Sequence, residues 1–351
     1  MRQPEIMNGQ MVETPRRGER RWIRRLAAFV DRRSGGAPSA RWSYKLYVNA
    51  LSRSMRHMGT AGPRFSVSDP HPITGMRQLY WEGRHVGTTR PPAELEDTRR
   101  GHCFIVATGP SLNQINLKLL HGHPTFGVNG AIAKFKEAGL SPTYYAISDD
   151  DFFENRFPMV RDVIASRSKC FFSFAGLSRV SEFDASLLDK TDYYLMEVIN
   201  RRYGHPRLPL NEFRKWAVEQ NMVIPEKPRR DDCRVGFSRD FGKGIFCSRT
   251  ILYMALQIAY HIGYRKLFIL GMDMDYQGAS PRFYESSAQM RPSKIARDFE
   301  PHILPSFELL RGICDREGLQ VFNLSPTSQL PESVIPRLTL EQALAMTAAG
   351  K

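Results

Sequence analysis

The sequence is poor in the features that mark secreted, zinc-binding and membrane-spanning proteins. Its 351 residues include only 5 cysteines, an odd number without a C-x-x-C pair, which argues against a disulfide framework or a zinc site. No apolar run reaches the roughly 18 residues that a membrane span needs. The first five residues, Met-Arg-Gln-Pro-Glu, contain no hydrophobic signal core. We therefore expect a cytoplasmic protein.

Acidic residues are scarce relative to basic ones. The 50 Lys and Arg against 36 Asp and Glu give a formal net charge of +14, which suggests nucleic acid, an anionic membrane or an acidic substrate as partner. Much of the excess lies in residues 1–56. Within it, residues 21–33 place apolar side chains at helical spacing between arginines, a pattern typical of a helix on an anionic membrane surface or of a surface helix docked on the main domain. No recognisable helix-turn-helix, zinc or RNA-binding motif supports nucleic acid.

The composition changes near residue 100 and predicts two regions. Residues 1–100 form a basic N-terminal extension, disordered over residues 1–20, with one helix at 42–58 and a hairpin at 79–87. Residues 101–340 alternate short apolar runs with helical segments. The predicted strands are Cys103–Ala107, Thr125–Val128, Tyr144–Ile147, Cys170–Phe174, Lys266–Leu270 and Gln320–Leu324. The main predicted helices are Ala131–Ala138, Thr250–Ile262 and Pro305–Glu317.

This alternation predicts an α/β domain, a Rossmann-like and mostly parallel sheet with helices on both faces. Ligands of such sheets bind beyond the carboxyl ends of the strands. The turn Thr108-Gly109-Pro110-Ser111-Leu112 follows the first strand. Gly109 leaves room for a phosphate or ribose, and Ser111 is suited to cap the next helix, whose free N–H groups attract an anion. Gly-Pro-Ser is also a common turn, and it matches neither the dinucleotide fingerprint nor the P-loop.

Three further loops at this edge carry polar residues, each with a structural alternative. Asn129 is suited to bind ribose or phosphate, or to adopt a left-handed turn. Asp149, Asp150 and Asp151 resemble the metal-holding Asp-x-Asp of some glycosyltransferases but also suit a helix N-terminus. Ser248 and Thr250 are suited to cap the apolar helix and to face a ligand.

Candidate catalytic groups follow in the last third of the chain. Tyr276 and Tyr284 offer hydroxyl donors to a departing phosphate, and Arg282 suits bidentate pairing with a carboxylate. Asp273 is either a binding residue or a buried structural carboxylate. His302 suits general-base work on a hydroxyl, although a histidine flanked by prolines is often structural.

Taken in order, these motifs resemble the bacterial sialyltransferases of glycosyltransferase family 42, and more closely the related transferases that add a further 3-deoxy-octulosonic acid (Kdo) to the lipopolysaccharide inner core. The resemblance covers roughly Cys103 to Pro336. It is strongest in Gly236-Phe-Ser-Arg-Asp240, Thr250–Gly263, Gly271-Met-Asp273, Pro281-Arg-Phe-Tyr284 and Val321-Phe-Asn-Leu-Ser-Pro326.

The resemblance implies a CMP-activated ulosonic acid as donor substrate, bound without a metal or other cofactor. It places Gly109, Pro110, Ser111 and Asn129, with Thr108 and Ser325 beside them, at the CMP site, and Ser248 and Thr250 near the nucleotide or donor sugar. Tyr276 and Tyr284 would match the tyrosines that stabilise the leaving phosphate, and His302 the general base. Asp149, Asp273 and Arg282 remain candidates for donor or acceptor binding. The Asp149–Asp151 run departs from the Asn-containing loop of the sialyltransferases.

The sequence thus predicts a glycosyltransferase that moves Kdo, or failing that sialic acid, from CMP to a lipid-linked glycan acceptor. We expect it at the inner face of the bacterial inner membrane, attached through its N-terminal arginines; an oligomer is compatible with the sequence. Two alternatives stay open. One is a Mg²⁺-dependent enzyme like the archaeal-type pterin diphosphokinases, whose Gly-Pro-Ser-Leu opening is similar. The other is a non-enzymatic basic protein that binds nucleic acid.

Overall fold

The structure, a computed structural model, describes residues 6–7, 10–11, 47–227, 233–274, 282–284 and 295–348. The predictions for residues 21–33 and for Tyr276 lie outside these ranges. The disorder predicted over residues 1–20 is wrong at residues 6–7 and 10–11, which form strands, and its other residues lie outside the described ranges. The two short segments near the N-terminus, Ile6–Met7 and Gln10–Met11, pair as antiparallel strands. No helix within the described ranges is both long and apolar enough to cross a bilayer.

Two further sheets contain ten strands. The small antiparallel sheet has the strands β1 Phe65–Val67, β2 Arg77–Trp81 and β3 Arg84–Thr89. The main sheet has seven strands, all of whose pairings are parallel. They are β4 His102–Val106, β5 Thr125–Val128, β6 Tyr144–Ile147, β7 Lys169–Phe172, β8 Tyr193–Leu195, β9 Lys266–Leu270 and β10 Gln320–Asn323. The predicted mostly parallel sheet and the hairpin at 79–87 are confirmed.

Helices connect these strands. The α-helices are α1 Ile132–Ala138, α2 Asp150–Asn155, α3 Phe157–Ala165, α4 Phe174–Asp184, α5 Leu210–Glu219, α6 Ile251–Ile262, α7 Ile295–Asp298, α8 Leu304–Glu317 and α9 Leu340–Ala348. A π-helical turn, Phe299–Ile303, joins α7 to α8. Short 3₁₀ segments are Arg53–Ala61, Pro92–Leu95, Pro110–Gln114, Leu117–Leu120, Asn129–Ala131, Ala185–Asp189 and Phe241–Lys243.

Alternating side chains of the main sheet build two hydrophobic cores, one on each face. In β4, Ile105 belongs to the core beneath α5, α6 and α8, whereas Phe104 and Val106 belong to the core beneath α1 to α4 and α9. Successive side chains of a strand point to opposite faces, so an unbroken apolar run fits a sheet covered on both sides. This explains why the strands of residues 101–340 read as continuous apolar segments.

The strand order places a topological switch point beside the first strand of the main sheet. The order is β8-β7-β6-β5-β4-β9-β10. The chain therefore builds the sheet outward from β4 to β8 and then returns to add β9 on the other side of β4. Ligands of open α/β sheets bind at the carboxyl edge where the order reverses. The loops after β4 and β9 meet at that point.

Part of the predicted N-terminal extension packs into the core of the α/β domain. Met58, Phe65 and Leu79 are buried in the same core as β4 and β7, and the N–H of Arg90 donates to the carbonyl of Tyr193 at 2.7 Å. The single helix predicted at 42–58 is wrong for the described residues. Residues 47–50 are helical, but Ser52 is extended and the 3₁₀ segment Arg53–Ala61 follows it.

The strand predicted at Cys170–Phe174 is two residues too long. It ends at Phe172, and Ser173 caps the helix that begins with Phe174. The Ser173 hydroxyl oxygen accepts a hydrogen bond from the N–H of Gly176 at 3.0 Å. An apolar residue after a cap can continue a strand pattern although it already belongs to the helix.

Candidate active site

The turns after β4 and β9 are in direct backbone contact at the switch point. The N–H of Gly109 donates to the carbonyl of Gly271 at 2.9 Å. A Cβ atom at position 109 would lie 2.5 Å from that carbonyl oxygen and from Asp273 Oδ2. Gly109 is therefore required by the approach of the neighbouring loop. The room predicted for a phosphate at this position is filled by the chain itself.

Asp273 is the anion that the first turn binds. The N–H of Ser111 donates to Asp273 Oδ2 at 2.7 Å, and the Ser111 hydroxyl donates to Asp273 Oδ1. Asp273 is only 4% exposed, so this carboxylate satisfies an N–H group at the start of the turn Pro110–Gln114. The prediction that Ser111 caps its own helix is wrong, because its side chain holds Asp273. The structural alternative stated for Asp273 is the one observed.

Ser325 joins the same network from the loop after β10. Its Oγ accepts the N–H of Met272 at 2.7 Å and lies 3.3 Å from the Ser111 hydroxyl. Its own N–H donates to Asn323 Oδ1 at 3.0 Å. Ser325 is 1% exposed. The loops after three neighbouring strands are thus joined into one buried polar layer, the floor of the switch point.

Asn129 lies beside this floor, at the end of β5, with a buried acceptor atom. Its backbone has a φ of 45°, as the left-handed turn alternative requires. Its carbonyl accepts the Tyr145 hydroxyl at 2.7 Å. Its side-chain Oδ1 is buried and has no hydrogen-bond partner among the described residues. Buried polar atoms are nearly always paired, so an isolated one at a ligand-binding edge indicates a group that a ligand satisfies.

The segment 282–284 contacts the turns that follow β4 and β5. The N–H of Phe283 donates to the carbonyl of Thr108 at 3.1 Å, and the half-buried ring of Tyr284 lies against Gly130, where any Cβ would collide with it. Arg282 is half-buried in the same segment. Burial raises the pKa of Tyr145 well above its ordinary value, and the nearby Tyr284 adds to the rise. Tyr284 and Arg282 therefore lie at the predicted nucleotide side of the site.

The loop before α6 turns through two strained residues. Ser248 and Arg249 have φ values of 42° and 61°. Ser248 is fully buried, and both its N–H, at 3.2 Å, and its hydroxyl, at 3.4 Å, bond to the carbonyl of Arg234. Thr250 occupies the N-cap position without a side-chain hydrogen bond to the helix. Thr250 therefore holds the predicted N-cap position of α6, although its side chain does not cap the helix. The prediction that Ser248 caps α6 is wrong, because Ser248 binds the carbonyl of Arg234. Such strain persists where surrounding structure enforces it, often at functional sites.

His302 lies close to a carboxylate that this loop also binds. It lies in the π-helical turn Phe299–Ile303, where Pro301 lacks an N–H group. Its Nδ1 is 3.8 Å from Asp298 Oδ1, one helical turn earlier. Arg249 pairs with Asp298 Oδ2 at 3.4 Å, and Arg297 donates to both oxygens, at 3.1 and 3.3 Å. His302 and Asp298 are only 2% and 6% exposed.

Asp149 sits apart from both groups, at the carboxyl end of β6. It is exposed and is the N-cap of α2, accepting the N–H of Asp151 at 3.1 Å. Burial and the carboxylate of Asp149 raise the pKa of Asp150 to about 6. Within the described ranges, no group of three or more His, Cys, Asp or Glu side chains is arranged to hold a metal ion.

The predicted residues thus form two groups and one outlier. The switch-point group contains Thr108, Gly109, Pro110, Ser111, Asn129, Asp273, Arg282, Tyr284 and Ser325. The second group contains Ser248, Thr250 and His302, linked through Arg249 and Asp298. Sequence reasoning missed Tyr145, Arg249 and Asp298, although the four-residue spacing of Asp298 and His302 on a helix was a usable signal.

Comparison with known proteins places this geometry in a family context. The family model described as 3-deoxy-D-manno-octulosonic acid transferase WaaZ matches residues 93–341. A probable 3-deoxy-manno-octulosonic acid transferase of Salmonella typhimurium is 24% identical over 242 residues, 68% of this chain and 87% of that protein. One of the same description from Escherichia coli is 25% identical over 260 residues, 70% and 86% of the two chains.

Two solved structures are also similar. The MAf glycosyltransferase from Magnetospirillum magneticum AMB-1 has 12% sequence identity and a TM-score of 0.42 over 94% of this chain, which spans half the length of that one. The sialyltransferase CST-II, solved with a trisaccharide acceptor and CMP, has 13% identity and a TM-score of 0.36 over 67% of this chain and 84% of that one.

Proposed function

Since the chain belongs to the WaaZ family of 3-deoxy-D-manno-octulosonic acid (Kdo) transferases, we propose that it transfers Kdo from a CMP donor to a lipopolysaccharide-type acceptor. It is a glycosyltransferase by family membership. The donor nucleotide, the catalytic base and the absence of a metal requirement are parts of the proposal. Sialic acid is the second candidate sugar.

The observation that carries the proposal is the unpartnered Asn129 Oδ1 beside the floor at the switch point. This floor, made of Ser111, Asp273 and Ser325, is rigid because its polar groups bind one another. The ligand contacts are then assigned to the atoms around it: Asn129, the half-buried Thr108 and Pro110, and the segment with Tyr284. A cytidine nucleotide offers the amino and hydroxyl donors that Asn129 Oδ1 lacks in the protein.

Removal of the proton from the acceptor hydroxyl is assigned to His302. In the proposed step, His302 removes a proton from an acceptor hydroxyl while that oxygen attacks the anomeric carbon of Kdo. The bond from this carbon to the CMP phosphate oxygen breaks, and the electron pair leaves with CMP. Asp298 faces Nδ1 and stabilises the imidazolium that forms, so Nε2 is the nitrogen that accepts the proton. Arg249 and Arg297 pair with Asp298 and hold its carboxylate in place.

The leaving phosphate is assigned to Tyr276 and Tyr284, with Arg282 receiving the donor carboxylate. Tyrosine hydroxyls and a guanidinium supply hydrogen bonds where negative charge develops on the phosphate oxygen. Asp149 is proposed at the donor or acceptor side of the same edge. We further propose that the enzyme acts on a lipid-linked acceptor at the inner face of the inner membrane, where the basic N-terminal residues contact anionic lipid.

Thermal unfolding with nucleotides tests the nucleotide class. We expect CMP to raise the melting temperature, and UDP and ATP to leave it unchanged, because a ligand that binds only the folded state stabilises it by mass action. Stabilisation by ATP with Mg²⁺ alone would instead favour the pterin diphosphokinase reading.

A transfer assay tests the chemistry. With CMP-Kdo, CMP-sialic acid and a lipid-linked acceptor, we expect Kdo transfer that survives a chelator and falls roughly 10²–10⁴-fold in His302→Ala. His121→Ala is the matched control, since His121 is exposed and lies outside both groups of site residues. Full activity of His302→Ala would remove the base assignment, and no transfer from either donor would refute the proposed reaction.

A further inference from the structure

A group of arginines lies on the same edge of the sheet as the candidate active site but far from the switch point. Arg201 and Arg207 belong to the loop that follows β8, the outermost strand. Four strand spacings separate β8 from β4, which corresponds to roughly 19 Å at the usual spacing of neighbouring strands. The strand that leads into this loop therefore lies at the edge of the sheet and not at the switch point.

The loop is fixed in shape by its own hydrogen bonds. Asn200 has a φ of 56°, its Oδ1 accepts the N–H of Leu208 at 2.7 Å and its Nδ2 donates to the carbonyl of Leu208 at 3.0 Å. The N–H of Arg207 donates to the carbonyl of Ser54 at 2.9 Å. Arg201 and Arg207 thus flank a closed loop and are presented together.

Their positive charges are not neutralised by the described residues. Neither Arg201 nor Arg207 forms an ion pair or a side-chain hydrogen bond within the ranges that the structure describes, whereas Arg202, next in the chain, pairs with Glu197 at 3.4 Å. Burial lowers the pKa of Arg201, and the neighbouring Arg207 and Arg234 lower it further. His57 Nδ1, beside the same two arginines, is buried without a hydrogen-bond partner among the described residues. Arg201 is half-buried and Arg207 is exposed. Two neighbouring guanidinium groups repel one another, and an anion bound between them stabilises both.

The group adjoins the proposed base rather than the proposed nucleotide site. Burial raises the pKa of the Cys247 thiol, and the positive charge of the nearby Arg201 opposes that rise. Two residues further along, Arg249 pairs with Asp298, the carboxylate that faces His302. The bridge between Val198 and Ile245 connects the two loops directly. An anion held by Arg201 and Arg207 would therefore belong to the molecule whose hydroxyl His302 deprotonates.

We propose that Arg201 and Arg207 form an acceptor subsite that binds a carboxylate or phosphate group of the lipopolysaccharide-type acceptor. This inference rests on the proposed function, because it assigns the acceptor of that reaction. The two arginines fix the anionic sugar while the neighbouring base reaches its hydroxyl. Both anion types suit a pair of guanidinium groups, so the experiment must separate them.

Calorimetric binding of a deacylated inner-core oligosaccharide, which carries both carboxylates and phosphates, tests the subsite without requiring activity. For Arg201→Gln/Arg207→Gln we expect a Kd roughly 10- to 100-fold higher than for the unaltered protein, with the affinity for CMP changed less than about 2-fold. Arg84→Gln, on an exposed position of β3, is the control. Arg201→Lys/Arg207→Lys should bind more tightly than the glutamine variant and less tightly than the unaltered protein. Loss of binding after removal of the phosphates identifies phosphate as the anion, and loss after reduction of the carboxyl groups identifies carboxylate.

The outcomes separate this inference from the proposed function. If the glutamine variant binds the oligosaccharide as tightly as the unaltered protein, or the unaltered protein does not bind it, the subsite is refuted. If binding depends on the arginines but no Kdo is transferred, the proposed reaction is refuted and the subsite stands. In a transferring enzyme, the same variant should raise the acceptor KM and leave the donor KM and kcat nearly unchanged.

Discussion

At the scale of single residues, substitutions of Asp149 can distinguish a structural role from a contact with substrate. Its carboxylate caps α2 by accepting the N–H of Asp151. We expect Asp149→Ala to lower the free energy of unfolding by roughly 1 kcal/mol, because the N–H loses its partner. Asp149→Ser keeps a cap oxygen and should stay within a few tenths of a kcal/mol of the unaltered protein. Denaturant unfolding of both variants measures this difference.

Transfer kinetics of Asp149→Ser then show whether the carboxylate also contacts the donor or acceptor. A kcat/KM within about 2-fold of the unaltered enzyme would leave capping as its role and would remove Asp149 from the proposed binding residues. A loss of roughly 10-fold, a factor that corresponds to about 1.4 kcal/mol, would show that the substrate is bound by the charge that serine lacks. Equal stability of the alanine and serine variants would contradict the cap itself.

Residue types at the switch point were predictable, but their partners were not. The sequence shows that Gly109 and Ser111 follow a strand, and general rules place them at a ligand-binding edge. It does not show that the anion at Ser111 is Asp273, which lies 162 positions away. Contacts between distant segments depend on strand order, and periodicity carries no information about strand order. Asp149 was readable as a cap because its partner is two residues away.

At the scale of secondary-structure elements, a charged group joins the end of α8 to α6 and to the loop after α5. Glu317 accepts hydrogen bonds from Arg239 Nε at 3.1 Å and from the Tyr260 hydroxyl at 2.5 Å, and Arg239 also donates to the carbonyl of Asn221. Burial alone would raise the pKa of Glu317, but the hydrogen bonds from Arg239 and Tyr260 outweigh it and lower the pKa below 4.5. The group therefore stabilises the fold when Glu317 is ionised.

We expect Glu317→Gln to lower the free energy of unfolding by roughly 1–3 kcal/mol at pH 7. Because the folded pKa is depressed, the stabilisation is fully present above the ordinary pKa and is lost as the pH falls through the folded value. The difference between the two proteins should therefore shrink as the pH falls below the ordinary pKa of a glutamate. Urea unfolding at several pH values measures it, with the exposed Glu219→Gln on α5 as control. A difference independent of pH would contradict the ionised pairing.

Elements were predictable where local composition decides them. The parallel strands are buried on both faces, and the apolar runs therefore reveal them without alternation. The helix predicted at 42–58 is wrong because the helical spacing of apolar residues does not reveal that Ser52 is extended. After Ser52, Met55 and Met58 of the 3₁₀ segment are buried in the core. The π-helical turn at His302 was equally hidden, since its cause is a proline within a turn that packing holds together.

At the scale of the whole molecule, the net charge of +14 suits both proposed partners, because the membrane surface and the acceptor are each anionic. A segment as short as residues 21–33 cannot cross a bilayer, which takes about 20 residues, so an attachment through it would act at the lipid surface. Basic residues near an anionic leaflet contribute about 1 kcal/mol each, and salt screens the attraction. Several arginines in one short segment are then enough to concentrate the enzyme where a lipid-linked acceptor lies.

Deletion of residues 1–33 tests this attachment. We expect the shortened protein to bind phosphatidylglycerol-containing vesicles at least about 100-fold more weakly at 0.1 M salt, and both forms to ignore phosphatidylcholine vesicles. Replacing the arginines of residues 21–33 by lysine should preserve binding, and by glutamine should abolish it, because charge is the cause. Transfer to a deacylated, water-soluble acceptor should be unchanged in all three variants. Unaltered vesicle binding after the deletion would show that the charge on the rest of the protein holds the enzyme at the surface. Loss of transfer to the soluble acceptor would show that residues 1–33 are needed for catalysis.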